Sequence, residues 1–414
     1  MDLVLYFGII FLSIISIIKI GGIGLKIKMN CSFFLLLWWG YYFWLKIPYF
    51  IYNEKYDLDF LYLSLSIVFV YFLGFLSGTF IKVFKLNFFY TTNEFILKTS
   101  TRKIVFLFFI LVIIMLFYNY NKYGTLNIVE SISSMKENRK EITWGGITVY
   151  FSFFVNAFSK IVALLCIALS IKNKNYKIAL FMCLIMMLVS AQGGSKYALL
   201  WLLYPVSIYS LLYKPINAML LAVPVLILVS LIPIMNIYRD AGHLDVDGNY
   251  LLSILLNRSD LFNGIYDLVV HVYEKNDFEL GLTIYSLFLR FIPRDIYPDR
   301  LGSSDAFMTK EIYNQDFWIF NFGGIGEFYF NFGILGVLFI GVFSGYIIKV
   351  INSNLMKSTE NNIFLFVCLI ASPFWTMPWG IGFNVFFTDL FIFWLLSIPL
   401  SYFLIKIMFR FKLK

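Results

Sequence analysis

Polar chemistry in this chain is concentrated between Arg290 and Gly336, where arginines, carboxylates and glycines follow long stretches of hydrocarbon side chains. Of the 414 residues, 60% are hydrophobic and only 14% are charged, so few segments can carry out a reaction. Guanidinium groups bind phosphate and carboxylate oxygens through paired hydrogen bonds. Basic residues here and in the neighbouring loops therefore predict a site for an anionic ligand. The alternative for each is pairing with a loop carboxylate. These basic residues are Arg239, Arg258, Arg290, Arg294, Arg300 and Lys196.

Lys196 ends a string of small residues that includes Gly193 and Gly194. Small residues let the backbone approach a ligand closely, and the helix that follows can present its first N–H groups to an anion. A tight turn between two helices, with Lys196 at the membrane interface, explains the same string equally well.

Two side chains near the arginines are candidates for proton transfer. Glu327 begins an apolar span after a glycine-rich string, where a carboxylate is costly unless it is paired or functional. We expect it to be a general base, or else the counter-ion of an arginine. His271 lies on the polar side of a predicted loop helix and is the second candidate, although a loop histidine is more often only solvated.

Several kinds of chemistry lack their usual sequence patterns in this chain. There is no phosphate-binding loop, no zinc-protease motif and no hydrolase elbow. Paired carboxylates such as Asp57 and Asp59 can hold a divalent cation, but such short patterns are usually solvated loop residues. The four cysteines all fall in apolar spans, so we expect neither disulfides nor a cysteine metal site. We predict no metal and no cofactor.

Apolar runs of membrane-spanning length, with a mean hydropathy of +0.81, predict an integral membrane protein. We expect an all-α, polytopic helix bundle with about 11 transmembrane helices, within a range of about 10 to 12, since only closed helical or barrel structures span a bilayer. The whole chain, residues 1–414, is predicted to form one membrane domain. The candidate spans are residues 3–18, 31–51, 61–80, 104–118, 147–171, 178–190, 197–213, 218–235, 328–350, 363–377 and 383–407.

Basic residues occur mainly in alternate loops, as the positive-inside rule requires of cytoplasmic loops. This pattern predicts an external amino terminus and a cytoplasmic carboxyl terminus. It also predicts a large external loop over residues 236–327 and a smaller one over residues 119–146. The net charge of +9 mostly reflects this bias, so it does not indicate a nucleic-acid partner.

The large external loop has helical periodicity of its own. From Ser253 to Glu274 polar residues recur every three or four positions, with apolar residues on the opposite side. This pattern predicts an amphipathic helix whose polar side faces outward and whose apolar side lies on the membrane surface or the bundle. A second apolar stretch, residues 280–291, ends before Pro293.

With these residues and motifs, the chain resembles the oligosaccharide repeat unit polymerases, membrane enzymes that polymerise bacterial O-antigen, capsule and related glycans. The similarity covers most of the chain. It is carried by the Gly193, Gly194, Lys196 turn, by Ile292-Pro293-Arg294 followed by Tyr297-Pro298, and by the glycine-rich string that leads into Glu327, Asn331, Phe332, Gly333 and Gly336. The chain departs from the family pattern at Lys196, where arginine is common, and at Asp299-Arg300, where a Lys-Pro pair is common.

The resemblance implies a fold similar to the GT-C-type membrane glycosyltransferases in the bacterial inner (plasma) membrane. Donor and acceptor would both be oligosaccharides linked to undecaprenyl diphosphate, and no nucleotide sugar or metal would be needed. Membrane lipid, a chain-length regulator and a flippase are the implied partners. Arg239, Arg258, Arg290, Arg294, Arg300 and Lys196 would hold the diphosphate, Glu327 would be the base with His271 in reserve, and Tyr297, Trp318 and Phe320 would stack on sugar rings.

Two other functions fit the same layout. A flippase or another transporter of lipid-linked oligosaccharides would need charged residues along a path through the bundle, and charged residues within the spans are few. An O-antigen ligase has the same topology and differs in its acceptor.

Overall fold

The computed structural model describes residues 2–21, 35, 39–53, 56–83, 100–123, 147–191, 261–289, 292, 296–297, 301, 303–315, 320–358 and 396–410. All regular secondary structure within these ranges is helical. The helices are α1 (Asp2–Gly21), a π-helical turn (Gly40–Leu45) that continues into α2 (Lys46–Asn53), α3 (Leu58–Gly78), α4 (Thr101–Tyr123), α5 (Ile147–Lys172), α6 (Tyr176–Ala191), α7 (Leu261–Lys275), α8 (Leu282–Leu289), α9 (Ser304–Tyr313), α10 (Gly323–Ser358) and α11 (Ile398–Arg410).

Four helices in the described part of the chain are long and apolar enough to cross a membrane. They contain the windows Leu3–Ile20, Leu58–Gly78, Thr101–Tyr120 and Gly323–Asn354. Within the described residues, the prediction of an all-α fold with helices able to span a membrane is therefore confirmed. The spans predicted at 197–213, 218–235 and 363–377 lie outside the described residues, and the count of eleven stays a prediction.

The chain divides into two compact units. One contains Met1–Leu86, Leu256–Lys357 and Ser372–Leu390, and the other contains Asn87–Leu255, Ser358–Ala371 and Phe391–Lys414. In the second unit α4, α5 and α6 pack on one another and α11 packs on α5. Side-chain amides fix this packing, since Asn119 Nδ2 donates to the Val189 carbonyl at 3.0 Å.

The first unit contains the loop helices α7, α8 and α9 together with α1, α2, α3 and α10. Its core has a cluster of edge-to-face aromatic rings, in which the Trp39 centroid lies 4.9 Å from that of Phe72 and 4.8 Å from that of Phe75. All three residues are fully buried. Rings in this geometry gain quadrupole attraction in addition to the burial of apolar surface.

Helices α3 and α10 approach each other through glycines spaced four residues apart. A methyl group added at Gly74 would lie 2.5 Å from the Leu338 carbonyl oxygen, and one at Gly341 would lie 2.5 Å from the Tyr71 carbonyl oxygen. Gly78 and Gly345 continue the two stripes and are equally crowded by backbone of the facing helix. Small residues with this spacing let helix backbones pack closely in a membrane, where the hydrophobic effect does not drive helix association.

Basic residues lie at one end of this first unit. Lys19 Nζ lies 4.5 Å from the centroid of the Phe80 ring, and Lys349 Nζ donates to the Ile81 carbonyl at 3.0 Å. The loop helices contact the opposite ends of α3 and α10. The orientation of the chain in the membrane stays a prediction.

The loop helices match the predicted pattern in part. Helix α7 covers the second half of the amphipathic helix predicted over residues 253–274, and its apolar side chains Phe262, Ile265 and Leu268 are buried as expected. Helix α8 lies within the predicted stretch 280–291.

Helix α9 was not predicted because its sequence has no clear apolar period. It is defined by its caps: Ser303 Oγ accepts a hydrogen bond from the Ala306 N–H, and Asn314 ends the helix with φ 49°. Helix α10 begins at Gly323, whereas the predicted span begins at residue 328. Gly326 lets α10 pack tightly against α7, because a Cβ there would lie only 3.3 Å from Leu268 Cδ2.

Replacing Gly341 by alanine should destabilise the protein, because the new methyl group collides with backbone that cannot move aside. Overpacking of this kind costs about 1–3 kcal/mol. We expect a melting temperature several degrees lower when loss of the monodisperse size-exclusion peak is followed on heating in detergent. The matched control is Gly40→Ala, because a methyl group at Gly40 makes only ordinary contact, 3.6 Å from Trp44 Cε3. Equal melting temperatures for the two variants would contradict the close helix contact.

Candidate functional site

The carboxylate of Glu327 lies at the centre of a buried polar cluster in the first turns of α10. It is fully buried. Thr283 Oγ1 donates to one carboxylate oxygen and Ser304 Oγ donates to the other, each at 2.9 Å. Both donors are themselves at most 1% exposed. An ionised carboxylate accepts at both oxygens, so this arrangement suits the charged form of Glu327.

Asn331 lies one turn further along α10 and holds the start of α8. Its Oδ1 accepts hydrogen bonds from the Gly281 N–H at 3.1 Å and from the Thr283 N–H at 3.4 Å. Its Nδ2 donates to Thr283 Oγ1 and to the Glu327 carbonyl, both at 2.7 Å. The first N–H groups of a helix have no partner within the helix, so Asn331 caps α8 from a different helix.

The two hydroxyl donors lie at the amino-terminal ends of two loop helices. Thr283 is the second residue of α8 and Ser304 is the first residue of α9. Helix amino termini carry a partial positive charge and stabilise nearby anions. The Glu327 side chain therefore combines hydrogen bonds from two loop helices with the favourable ends of their dipoles, and it joins both helices to the membrane-spanning α10.

Helix α10 is interrupted at Gly333, where φ is 62° and ψ is −149°. Glycine adopts a positive φ without steric cost. The chain before α8 covers the interruption, since the Glu279 N–H donates to the Phe330 carbonyl at 3.1 Å and the Phe278 ring lies against Gly333. Glu327 and Asn331 thus belong to a short helical segment that precedes the break.

An open pocket of about 390 Å³ lies between the polar face of α7, the start of α3 and the end of α9. Three carboxylates line it, those of Asp57, Asp267 and Glu274. The remaining lining residues are His271, the aromatic residues Phe60, Tyr266 and Tyr313, and Val270 and Ile312. The pocket therefore combines acidic acceptors with aromatic and aliphatic surface.

Hydrogen bonds fix several of these pocket side chains. The Tyr313 hydroxyl donates to Asp267 Oδ2 in a short bond that ties α9 to α7. The Tyr266 hydroxyl accepts from the Asp57 N–H at 2.8 Å. Asp57 also caps α3, because its Oδ1 accepts from the Asp59 N–H at 2.8 Å. A salt bridge of 2.8 Å between Lys275 and Glu311 is a second link between α7 and α9.

His271 lies between the carboxylates on α7, four residues after Asp267 and three before Glu274. Partial burial, together with the positive charge of Lys275, lowers the pKa of His271 below its usual value, and nearby carboxylates offset only part of this effect. Its Nε2 is buried and has no hydrogen-bond partner in the described part of the chain. The imidazole is therefore neutral near pH 7.

Only some of the predicted site residues lie within the described ranges. Glu327 and His271 are there, in the buried cluster and in the pocket respectively. Phe320 packs against Tyr313 of the pocket, with ring centroids 4.3 Å apart, whereas Tyr297 is 41% exposed and does not line the pocket. The remaining candidates lie outside the described residues: Arg239, Arg258, Arg290, Arg294, Arg300, Lys196 and Trp318.

The sequence also contained signals for pocket residues that were not predicted. Asp267 and Glu274 share one face of α7 with the predicted His271, and this face lines the pocket. Asp57 precedes an apolar span and has the position of a helix cap. The Glu327 partners Thr283 and Ser304 had no local signal, because the contacts join residues 44 and 23 positions apart.

Comparisons with known proteins add no relative to this picture. No protein-family model, no curated protein and no solved structure matches the chain.

Replacing Glu327 by alanine should destabilise the loop helices, because two buried hydroxyls lose their acceptor and a void remains. The expected loss is about 3 kcal/mol or more. Glu327→Gln should be much milder, since an amide of the same size can still bond both hydroxyls. The measurement is the heat-induced loss of the monodisperse size-exclusion peak.

A surface control for this measurement is Glu311→Ala. It removes only the exposed Lys275 salt bridge, and pairs of this kind contribute about 0–1 kcal/mol. If Glu327→Ala were as stable as Glu311→Ala, the carboxylate would not hold the loop helices.

Proposed function

We propose that this protein is a membrane glycosyltransferase that polymerises undecaprenyl-diphosphate-linked oligosaccharide repeat units into O-antigen, capsule or a related surface polysaccharide. The observation that carries the proposal is the pocket of carboxylates, His271 and aromatic rings beside membrane-spanning helix α3. Carboxylates accept hydrogen bonds from sugar hydroxyls, and aromatic faces pack against apolar C–H surface. The resemblance of the loop motifs to repeat unit polymerases supports the same assignment.

The proposed reaction transfers the growing glycan to a new repeat unit. The bond between the anomeric carbon of the donor and its diphosphate breaks, and undecaprenyl diphosphate leaves. A hydroxyl of the acceptor sugar forms the new glycosidic bond and loses its proton to a base. Arginine side chains stabilise the charge that develops on the diphosphate, a role proposed for Arg290 and Arg294 together with the other candidate cations.

Two residues are proposed for the base, and their surroundings differ. His271 lines an open pocket, and its lowered pKa leaves it neutral near pH 7 and able to accept a proton. Both oxygens of Glu327 accept hydroxyl donors, so an acceptor sugar would have to displace Thr283 or Ser304. These observations favour His271 as the base and Glu327 as the residue that positions the loop helices, and substitutions can separate the two roles.

A transporter of lipid-linked oligosaccharides is the second candidate, because one observation favours it. Transporters often contain interrupted helices beside polar groups in the membrane. Helix α10 has this character, with its break at Gly333 and the buried side chains of Glu327 and Asn331 before it.

A strain that lacks this protein distinguishes these functions by the glycan it makes. We expect single repeat units on the surface anchor, and long chains when the wild-type protein is restored. Repeat units trapped on the cytoplasmic face would indicate a flippase. Long polymer that stays on the lipid carrier would indicate a ligase.

Variants in the same strain test the proposed residues. Arg294→Ala and His271→Asn should each abolish long chains at normal protein levels, because they remove a diphosphate ligand or the proton acceptor, whereas Glu327→Gln should keep long chains because the amide still holds Thr283 and Ser304. Glu311→Gln, a surface change on α9, should leave chain length normal. Long chains in both the Arg294→Ala and the His271→Asn variants would rule out the proposed site.

A further inference from the structure

The pocket lined by Asp57, Asp267 and Glu274 has properties that restrict its ligand. Its volume of about 390 Å³ is within the range of roughly 300–1,000 Å³ that is common for small-molecule sites. Among the described residues, no group of three or more His, Cys, Asp or Glu is arranged to hold a metal ion. The described lining is therefore acidic, with Asp57 and Glu274 beside the Asp267 carboxylate that accepts from Tyr313.

The charge of the described lining residues disfavours anions. Three carboxylates line the pocket, and His271 is a neutral partner near pH 7 because its pKa is lowered. The nearest lysine on the same helix, Lys275, pairs with Glu311 at 2.8 Å. A phosphate, diphosphate or uronate in this pocket would be repelled by every acidic lining residue.

The hydrogen-bonding groups suit a ligand with hydroxyl groups. Asp57 uses Oδ1 for its helix cap, and its other oxygen has no partner within the described ranges. The Tyr266 hydroxyl accepts from the Asp57 N–H and keeps its own proton to donate. Sugar hydroxyls both donate and accept, so they match this mixture, and the Tyr313 and Phe60 rings offer apolar surface to the ring carbons.

We propose that this pocket binds a neutral or ammonium-bearing pyranose of the acceptor repeat unit and rejects acidic sugars. The identity of the ligand as an acceptor sugar rests on the proposed function. The diphosphate must then bind elsewhere, at the arginines of the same external loop. With separate sites of opposite charge, the acidic pocket would bind only the sugar end of a substrate and the arginines would bind only its diphosphate end.

Ligand-detected NMR on the full-length protein in nanodiscs tests this proposal. The probes are the methyl glycosides of glucose, galactose, mannose and N-acetylglucosamine, together with glucosamine, glucuronate and galacturonate. We expect at least one neutral or amino sugar to bind, and both uronates to bind at least tenfold more weakly. Equal binding of uronates and neutral sugars, or no binding of any probe, would overturn the proposal.

Variants locate the binding in this pocket. Asp267→Asn and Glu274→Gln should each weaken the sugar that binds by about fivefold or more, because a charge-assisted hydrogen bond is lost. Glu274 is exposed, so its substitution leaves folding intact. The matched control, Asp277→Asn, removes an exposed carboxylate that does not line the pocket and should bind sugar normally. Equal affinities in all three variants would contradict the site.

Failure of this inference differs from failure of the proposed function. If cells make normal polymer but the purified protein binds no sugar, the proposed sugar site is ruled out and the proposed polymerase function is not. If the purified protein binds sugar but its deletion leaves the surface glycan unchanged, the polymerase function is ruled out. The sugar-binding site would still stand.

Discussion

A single buried carboxylate determines how the loop helices meet the membrane-spanning part of the first unit. Glu327 accepts hydrogen bonds from Thr283 and Ser304, which are at the starts of α8 and α9. A carboxylate without such partners would be too costly to bury in this environment. The buried charge of Glu327 is therefore compatible with the fold only when both α8 and α9 are in place. This requirement fixes the positions of the two loop helices against the start of α10.

The pocket depends on the same arrangement. Helix α9 is held at its start by Glu327 and at its end by the bond from Tyr313 to Asp267. Tyr313 is thereby fixed at the wall of the pocket, opposite the start of α3. Loss of the buried carboxylate would release this wall, so Glu327 can affect the shape of the pocket without lining it.

The sequence was sufficient for features that depend on composition and local spacing. The apolar spans and the amphipathic α7 follow directly from hydropathy and from a helical period. The partners of Glu327 could not be predicted, because Thr283 and Ser304 are ordinary loop residues until the chain folds. The helical turn at Gly326 was also missed, since it depends on close packing against α7 and not on intrinsic preference.

The most direct test is a reaction with purified protein in liposomes that contain undecaprenyl-diphosphate-linked repeat units and no nucleotide sugar or metal. We predict that products of two or more repeat units appear on gels together with free undecaprenyl diphosphate, and that His271→Asn abolishes them near pH 7. Products that remain single repeat units, or that only move across the bilayer, would contradict a polymerase.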